Sequence, residues 1–410
     1  MMTKRLHLAT RRELLLGSSV LFAWAHMPRL ALAEGRDPRF LVIVLRGALD
    51  GLATVAPVGD PDWIPLRGAN ALMTSGENAA LPLDGFFALN AAMPSLHSMY
   101  RAGEAVIVHA VASPYRDRSH FDGQDVLESG LTRPGGETGW LNRALMSLQA
   151  TGRVSGKDAF AVGPITPLVA RGPAPVLSWT PTRLQPASRD TMSRLLELYH
   201  HTDPALAQAL EERITLAAIA QGDRKSNTRE RAAGPAAAVR AYFSEAASAA
   251  ARFMARADGP RVGALAFDGW DTHANEGAAH GRLSDLLGAL DGALAAIKNG
   301  MGEAWKETAV TIITEFGRTA RINGTEGTDH GTATVALLAG GALKGGRVIA
   351  DWPGLSEQSL YQNRDLKPTI DLRAVIKGVL RDHLRADEGA LAGQVFPDSD
   401  SVRPLGGLII

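Results

Sequence analysis

Cysteine is absent from all 410 residues. That excludes disulfides, cysteine-ligated zinc and a thiol nucleophile, and it suits an exported protein, for which a free thiol is a liability. Net charge is lacking too, because 43 Lys+Arg balance 43 Asp+Glu. With no basic excess, and no basic patch interleaved with aromatics, nucleic acid is not an expected partner. A long apolar run is the third absence. The N-terminal run, Leu14–Ala25, is too short for a spanning helix and Pro28 follows it, so no stable membrane span is expected. What remains is 45% hydrophobic, an ordinary globular chain. Its length fits two or three domains, or one large α/β domain.

The N-terminus reads as an address. Thr10-Arg11-Arg12-Glu13-Leu14-Leu15 is a twin-arginine arrangement ahead of the apolar run, and Ala31-Leu32-Ala33 is an A-x-A cleavage site before Glu34. Residues 1–33 therefore read as a bacterial Tat signal, with the Tat translocase as partner and the periplasm or the exterior as destination. An uncleaved anchor is the competing reading. Tat carries folded cargo, often loaded with a metal or cofactor.

Residues 34–410 read as a single domain. Near-continuous apolar runs at Arg39–Leu45, Ala105–Ala112, Arg261–Phe267, Thr308–Thr314 and Val335–Ala339 suit buried strands. They alternate with helical spacing over Ala91–Arg101, His280–Lys298 and Ile370–Leu384. This alternation predicts an α/β fold, a largely parallel sheet with helices on both faces. Residues 57–90 and 345–354 read as loops. Residues 150–260 differ: a Gly- and Pro-rich start gives way to helical spacing over Asp190–Gln221 and Ala236–Ala257, joined by a charged linker, Gly222–Pro235. They predict a helical and loop insertion with few strands in the main sheet.

In open α/β sheets, ligand groups sit just past the carboxyl ends of strands. Asp50 follows the first run, between Gly47 and Gly51. Ser119, His120 and Asp122 follow the second, Asp271 and His273 the third, and Glu315 the fourth; Asp329-His330 precedes the fifth. Carboxylates and imidazoles converging on one rim build mixed O/N sites for zinc, manganese or similar divalent ions. Asp50, Asp271, His273, Glu315, Asp329 and His330 are the candidate ligands. Two such ions can clamp a phosphate or sulfate ester and activate a serine or a water. Ser119, near a helix start, is the candidate nucleophile. His120 beside it is a catalytic candidate, a ligand or an orienter. Phe121 among these polar groups predicts that the segment turns inward. Each residue also has a plainer reading: Ser119 as a helix N-cap, Glu315 paired with Arg318, His330 as a hydrogen-bonded loop residue, and Asp122 or Asp125 as the cap.

The stretches RGALDGL, RSHFDGQDVLESG, FDGWDTHANEG, TEFGRT, GTDHG and DWPGL stand behind the twin-arginine signal. Together they resemble the DUF1501 family of exported bacterial proteins over nearly the whole mature chain. More remotely the chain resembles the alkaline phosphatase–sulfatase–phosphoglycerate mutase superfamily. The resemblance implies an alkaline-phosphatase-like fold, Asp50 as the first-strand ligand, Ser119 as nucleophile, and Asp271 with His273 on one metal. Glu315 then stands at the Asp of the superfamily's Asp-His dipeptide and Phe316 at its His, with Asp329-His330 where a later lone His stands. The alternative matches Asp329-His330 to the Asp-His dipeptide by name. Phe316 cannot bind metal, which weakens a second metal position. The implied activity is metal-dependent hydrolysis of phosphate or sulfate esters. The competing reading is an exported protein of the same fold that has lost the chemistry and binds a ligand or partner.

Overall fold

The apolar runs become strands of one sheet. A computed structural model describes residues 36–152, 159–163, 165–181 and 235–410, with isolated positions between 196 and 210. The N-terminal address, and nearly all of the helical spacing over 190–221 and the linker after it, lie outside the described residues. Contacts divide the chain into two units, Asp37–Pro181 with Ile219–Ile410, and Met1–Arg36 with Thr182–Ala218. The sheet and every side chain discussed below belong to the first.

The sheet strands are β1 (Arg39–Arg46), β2 (Ala105–Ala112), β3 (Ala159–Val162), β4 (Leu177–Trp179), β5 (Val262–Asp268), β6 (Thr308–Thr314), β7 (Thr334–Ala339), β8 (Arg347–Ile349) and β9 (Ile370–Asp371). Their order is β8-β2-β7-β6-β1-β5-β3-β4, with β9 beside β2. β1 lies between β6 and β5, parallel to both. β7 is antiparallel to β2 and β6, because no crossover helix separates β6 from β7 and the chain simply turns back. The sheet is therefore mixed and mostly parallel.

The helices are α1 (Gly51–Thr54), α2 (Trp63–Arg67), α3 (Pro94–Arg101), α4 (His120–Ser129), α5 (Trp140–Ala150), α6 (Pro235–Ala255), α7 (Arg282–Met301) and α8 (Leu372–Leu384). Phe40, Val42 and Val44 of β1 pack with Trp140 and Leu145 of α5 and Val375 and Val379 of α8. The alternate residues Leu41, Ile43 and Leu45 are also fully buried, so both faces of β1 are covered, as its unbroken apolar run requires. Each such side chain contributes about 1.5–3 kcal/mol. Among the described residues, no helix is long and apolar enough to cross a membrane.

Among the described residues of 150–260, two short strands belong to the main sheet. β3 and β4 join the sheet at its edge, in parallel register with β5 and with each other. Their runs, AFAV and LSW, are too short to stand out among the glycines and prolines around them. Likewise β8 lies in a stretch read as loop, and Ile370–Asp371 is a strand ahead of α8 rather than its first turn.

Candidate metal centre

Three strands finish level with one another. Arg46 of β1 stands beside Asp268 of β5, and Leu45 beside Thr314 of β6, so the residues that follow share one rim. Gly47 has φ +119, and a Cβ there would lie 2.5 Å from the backbone nitrogen of Asp271. Only glycine permits so close an approach of the β1 and β5 loops. β7 brings its N-terminal end to this rim because it runs the other way, with Thr334 opposite Val111. The loop before it folds back on the segment after β6. Gly331 donates its N–H to the Gly317 carbonyl, Thr319 donates to the Asp329 carbonyl, and Arg318 bridges His330.

Four side chains meet there. Asp271 Oδ1 lies 3.4 Å from His120 Nε2, 3.1 Å from His273 Nε2 and 3.5 Å from His330 Nε2. The last two nitrogens are 2.9 Å apart. Among the described residues, His120, Asp271 and His330 form the group whose ligand atoms all lie within 4.8 Å of one another, with His273 beside it.

The outer nitrogen of each ring faces an acceptor. His120 Nδ1 is 2.9 Å from Glu315 Oε1, and His330 Nδ1 is 2.8 Å from the Arg118 carbonyl. His273 Nδ1 is 3.4 Å from Asp329 Oδ1. A carbonyl or carboxylate oxygen can only accept, so these partners assign the proton of each neutral ring to Nδ1. The three Nε2 atoms then turn lone pairs toward one another and toward a carboxylate. Nε2 of His120 is buried with no hydrogen-bond partner. Such a set is repulsive unless a positive charge sits among its members.

The electrostatics run the same way. The hydrogen bond to Glu315 raises the His120 pKa against the effect of burial. Burial would raise the Glu315 carboxyl, but hydrogen bonds from His120, Gln124 and Gly47 bring it below its ordinary value. For Asp271, burial is outweighed by Arg318, His273 and His120, and the carboxylate is favoured. His330 is lowered, first by burial. Arg318, with a fully buried side chain, donates from Nη1 to Asp271 Oδ1 at 2.9 Å, while its Nη2 has no partner.

The sequence-derived candidates thus separate. His120, Asp271, His273 and His330 come together. Glu315 and Asp329 do not join them as ligands; each holds the far side of a histidine. Glu315 is saturated, since Gly47, His120 and Gln124 share Oε1 and Thr314 donates to Oε2. Its partner is therefore His120 and not Arg318. Asp50 stands apart from the cluster. It caps α1 by accepting from the Ala53 N–H at 3.1 Å, and both its oxygens accept from Arg67, at 2.5 and 3.1 Å. Phe316 stacks on His120 at 5.1 Å between ring centroids. Ser119 is the N-cap residue of α4 but makes no side-chain cap bond. It sits between Arg118, which holds His330, and His120 itself. Phe121 is corrected: it is 89% exposed, because His120 takes the inward position and the next helical residue points about 100° away.

Arg67, Arg318 and Glu276 went unremarked as site residues. Glu276 is buried, accepts from Thr272 and Thr328, and has its carboxyl pushed up by burial. No short motif marks these residues. The only signal was charge inside otherwise apolar or small-residue surroundings.

The donor set fits one ion. Donors at about 2.0–2.1 Å from a tetrahedral zinc lie about 3.3 Å apart; the three contacts to Asp271 and the one between His273 and His330 run from 2.9 to 3.5 Å, and the ligand atoms of His120, Asp271 and His330 all lie within 4.8 Å of one another. Each imidazole has the outer partner that metal-bound histidines usually have. Beside the cluster, past Asp329, a cavity of about 510 Å³ is lined by Leu66, Thr319, Arg321, Asn323 and Arg364.

No curated protein matches the chain. Among solved structures, it is similar to the C-terminal periplasmic domain of EcEptC from Escherichia coli in complex with Zn, with 11% identity, 77% of each chain covered and a TM-score of 0.35. It is also similar to the phosphonate monoester hydrolase of Agrobacterium radiobacter, with 12% identity, 85% of this chain and 74% of that one covered, and a TM-score of 0.37. A protein in the alkaline phosphatase superfamily from Vibrio parahaemolyticus shows 13% identity, with 77% and 63% covered and a TM-score of 0.31. The family model described as "Protein of unknown function (DUF1501)" matches residues 67–395, which is most of the chain, and the chain belongs to that family.

Proposed function

We propose that the protein is an exported, metal-dependent hydrolase of phosphate or sulfate esters, holding one divalent ion on His120, Asp271, His273 and His330. The observation that carries this reading is the meeting of three Nε2 atoms on Asp271 Oδ1. Zinc suits the mixed N/O donors best, with manganese as the alternative. A bound ion would act as a Lewis acid toward an ester oxygen. The chain's own residues do the rest. Glu315, Asp329 and the Arg118 carbonyl keep the rings in the tautomer that turns Nε2 inward. Ser119, at the start of α4, is the proposed nucleophile, and the unpaired first-turn N–H groups of that helix favour an anionic group beside it. The cavity next to Asp329 gives the alcohol part of the ester room.

The test is metal analysis of the purified protein with turnover of aryl phosphate and aryl sulfate, repeated for Ser119→Ala and His330→Ala. Bound metal and turnover lost in both variants support the proposal. Metal-free protein without turnover sinks it. One observation favours a second reading, a binding protein that keeps the fold without the chemistry: Phe316 packs where the superfamily would place a ligand. That reading expects bound metal with no ester turned over. Export through Tat belongs to the same proposal and is tested by sequencing the N-terminus of the mature protein, expected at Glu34.

A further inference from the structure

The superfamily resemblance makes Asp50 a metal ligand, and its surroundings do not fit that role. We infer that Arg67 is a built-in cation: its guanidinium stands in for a second metal ion at Asp50 and ties the first-strand loop to the segment that positions His330. The inference stands apart from ester hydrolysis, since it concerns what occupies Asp50.

Each nitrogen of the Arg67 side chain has a partner, and four of its five N–H groups are assigned. Nη1 donates to Asp50 Oδ2 at 2.5 Å, and Nη2 to Oδ1 at 3.1 Å. Nε donates to the Ala320 carbonyl at 2.8 Å, and Nη2 also reaches the Thr319 carbonyl at 3.2 Å. Both side chains of the pair are 1% exposed. A parallel two-point contact of this kind uses the planar fork of arginine and the full face of the carboxylate. Asp50 Oδ1 further accepts from the Ala53 N–H. A metal ion would have to displace a charge that is already buried, paired with both oxygens of Asp50 and hydrogen-bonded to two backbone carbonyls.

The two carbonyls show what the clamp does. Thr319 exchanges hydrogen bonds with Asp329: its N–H donates to the Asp329 carbonyl, and its Oγ1 accepts from the Asp329 N–H at 3.1 Å. Asp329 precedes His330 and faces His273. Arg67 therefore acts through the 319–320 segment on two of the three histidines. It is a positioning residue, and nothing here requires it to touch a substrate.

The experiment measures zinc and manganese bound per chain, by elemental analysis after equilibrium dialysis, for the wild type, Asp50→Asn and Arg67→Lys. Anomalous scattering from zinc-soaked wild-type crystals locates any ion. The inference expects one ion per chain at the histidine cluster, an unchanged count in Asp50→Asn, and no anomalous density at Asp50. Arg67→Lys keeps one cation against Asp50 but loses the two-point contact and the carbonyl bonds. It should bind the cluster ion about tenfold more weakly with an unchanged count, within the 10–100-fold range for changes to groups that orient ligands. Two ions per chain, loss of one ion in Asp50→Asn, or density at Asp50 overturns the inference. Metal absent from both places leaves Asp50 with Arg67 and no metal ion, as the inference requires, and overturns the hydrolase reading instead.

Discussion

Asp50 and Asp271 follow neighbouring parallel strands by a few residues each, and the fold treats them in opposite ways. Asp50 is sealed, with its charge cancelled inside the protein by Arg67. Asp271 is 42% exposed and faces three imidazole nitrogens, with only one oxygen shared by Arg318. The first arrangement is complete without any added group. The second is incomplete, because neutral rings oriented by their outer partners leave their lone pairs facing one another. A carboxylate at a strand end is thus not a metal ligand by virtue of position. What separates the two is whether a cation from the chain takes both oxygens, as Arg67 does at Asp50, or only one, as Arg318 does at Asp271.

The largest expected effect breaks the sealed side. Arg67→Ala should destabilise the protein by about 3–5 kcal/mol, the cost of leaving one member of a buried pair unpaired. Removing both charges together, as Asp50→Leu with Arg67→Met, should cost far less. Chemical denaturation at constant denaturant slope measures both. A single Arg67→Ala variant within 1 kcal/mol of wild type would mean that water reaches Asp50 and that the site is not sealed.

The sealed side also holds a histidine that cannot easily be charged. His109 of β2 is buried, its Nε2 lies 2.9 Å from the Val55 carbonyl, and its pKa is lowered to about 4, chiefly by burial. Its folded pKa lies below the ordinary value near 6.5, so the unfolded chain binds the proton more tightly. Stability from this group is fully present above pH 6.5 and is lost as pH falls through about 4. The difference amounts to about 3 kcal/mol. Unfolding free energies measured from pH 7 down to pH 4 should fall accordingly, and His109→Gln should flatten that part of the curve. A pH dependence unchanged in His109→Gln would assign the loss to other groups.

On the open side, the comparison narrows to the outer partners of two histidines. Glu315 is fully buried and 2.9 Å from His120, whereas Asp329 is half-exposed and 3.4 Å from His273. Glu315→Gln keeps the shape and removes the charge that makes His120 a better donor. It should weaken metal binding about 10–100-fold, or about 1.4–2.7 kcal/mol. Asp329→Asn should cost less than tenfold, because water screens the longer contact. Competition with a chelating dye gives both constants. The reverse order would show that exposure of the partner does not govern its influence on the ring.

Much of this was legible from residue order. The strand runs at Arg39, Ala105 and Thr308 are long, apolar and rich in β-branched residues, and they predicted three strands of the sheet to within a residue. Asp271 and His273 stood out because polar groups directly after such runs have few structural reasons to be there, and His330 because it stands just ahead of the Val335–Ala339 run. Three things did not show. The antiparallel course of β7 depends on a missing crossover helix, which an apolar run cannot reveal. The partners of Asp50 and Asp271, Arg67 and Arg318, are far away in sequence, and a charged residue does not announce which carboxylate it will meet. Glu315 looked like a ligand because a strand end is where ligands stand. Only the geometry shows its oxygens spent on Gly47, His120, Gln124 and Thr314.

The smallest effect concerns the residue that was expected inside. Phe121 follows His120 directly, and polar neighbours on both sides suggested that its ring pointed toward the rim. Instead His120 takes the inward direction and stacks on Phe316, while Phe121 lies 89% exposed on the first turn of α4. An aromatic ring in water contributes almost no burial, so its removal leaves no cavity and no unpaired group. Phe121→Ser should therefore change stability by no more than about 0.5 kcal/mol, the usual range for surface positions away from special features. Metal content should be unchanged, because the rings of His120 and His330 keep their outer partners. His120→Ala, one residue away, should lose the bound metal. Measuring both variants side by side gives the sharpest local form of the comparison. A loss of more than 2 kcal/mol in Phe121→Ser would place its ring against the rest of the protein and reverse the assignment of inward and outward positions on α4.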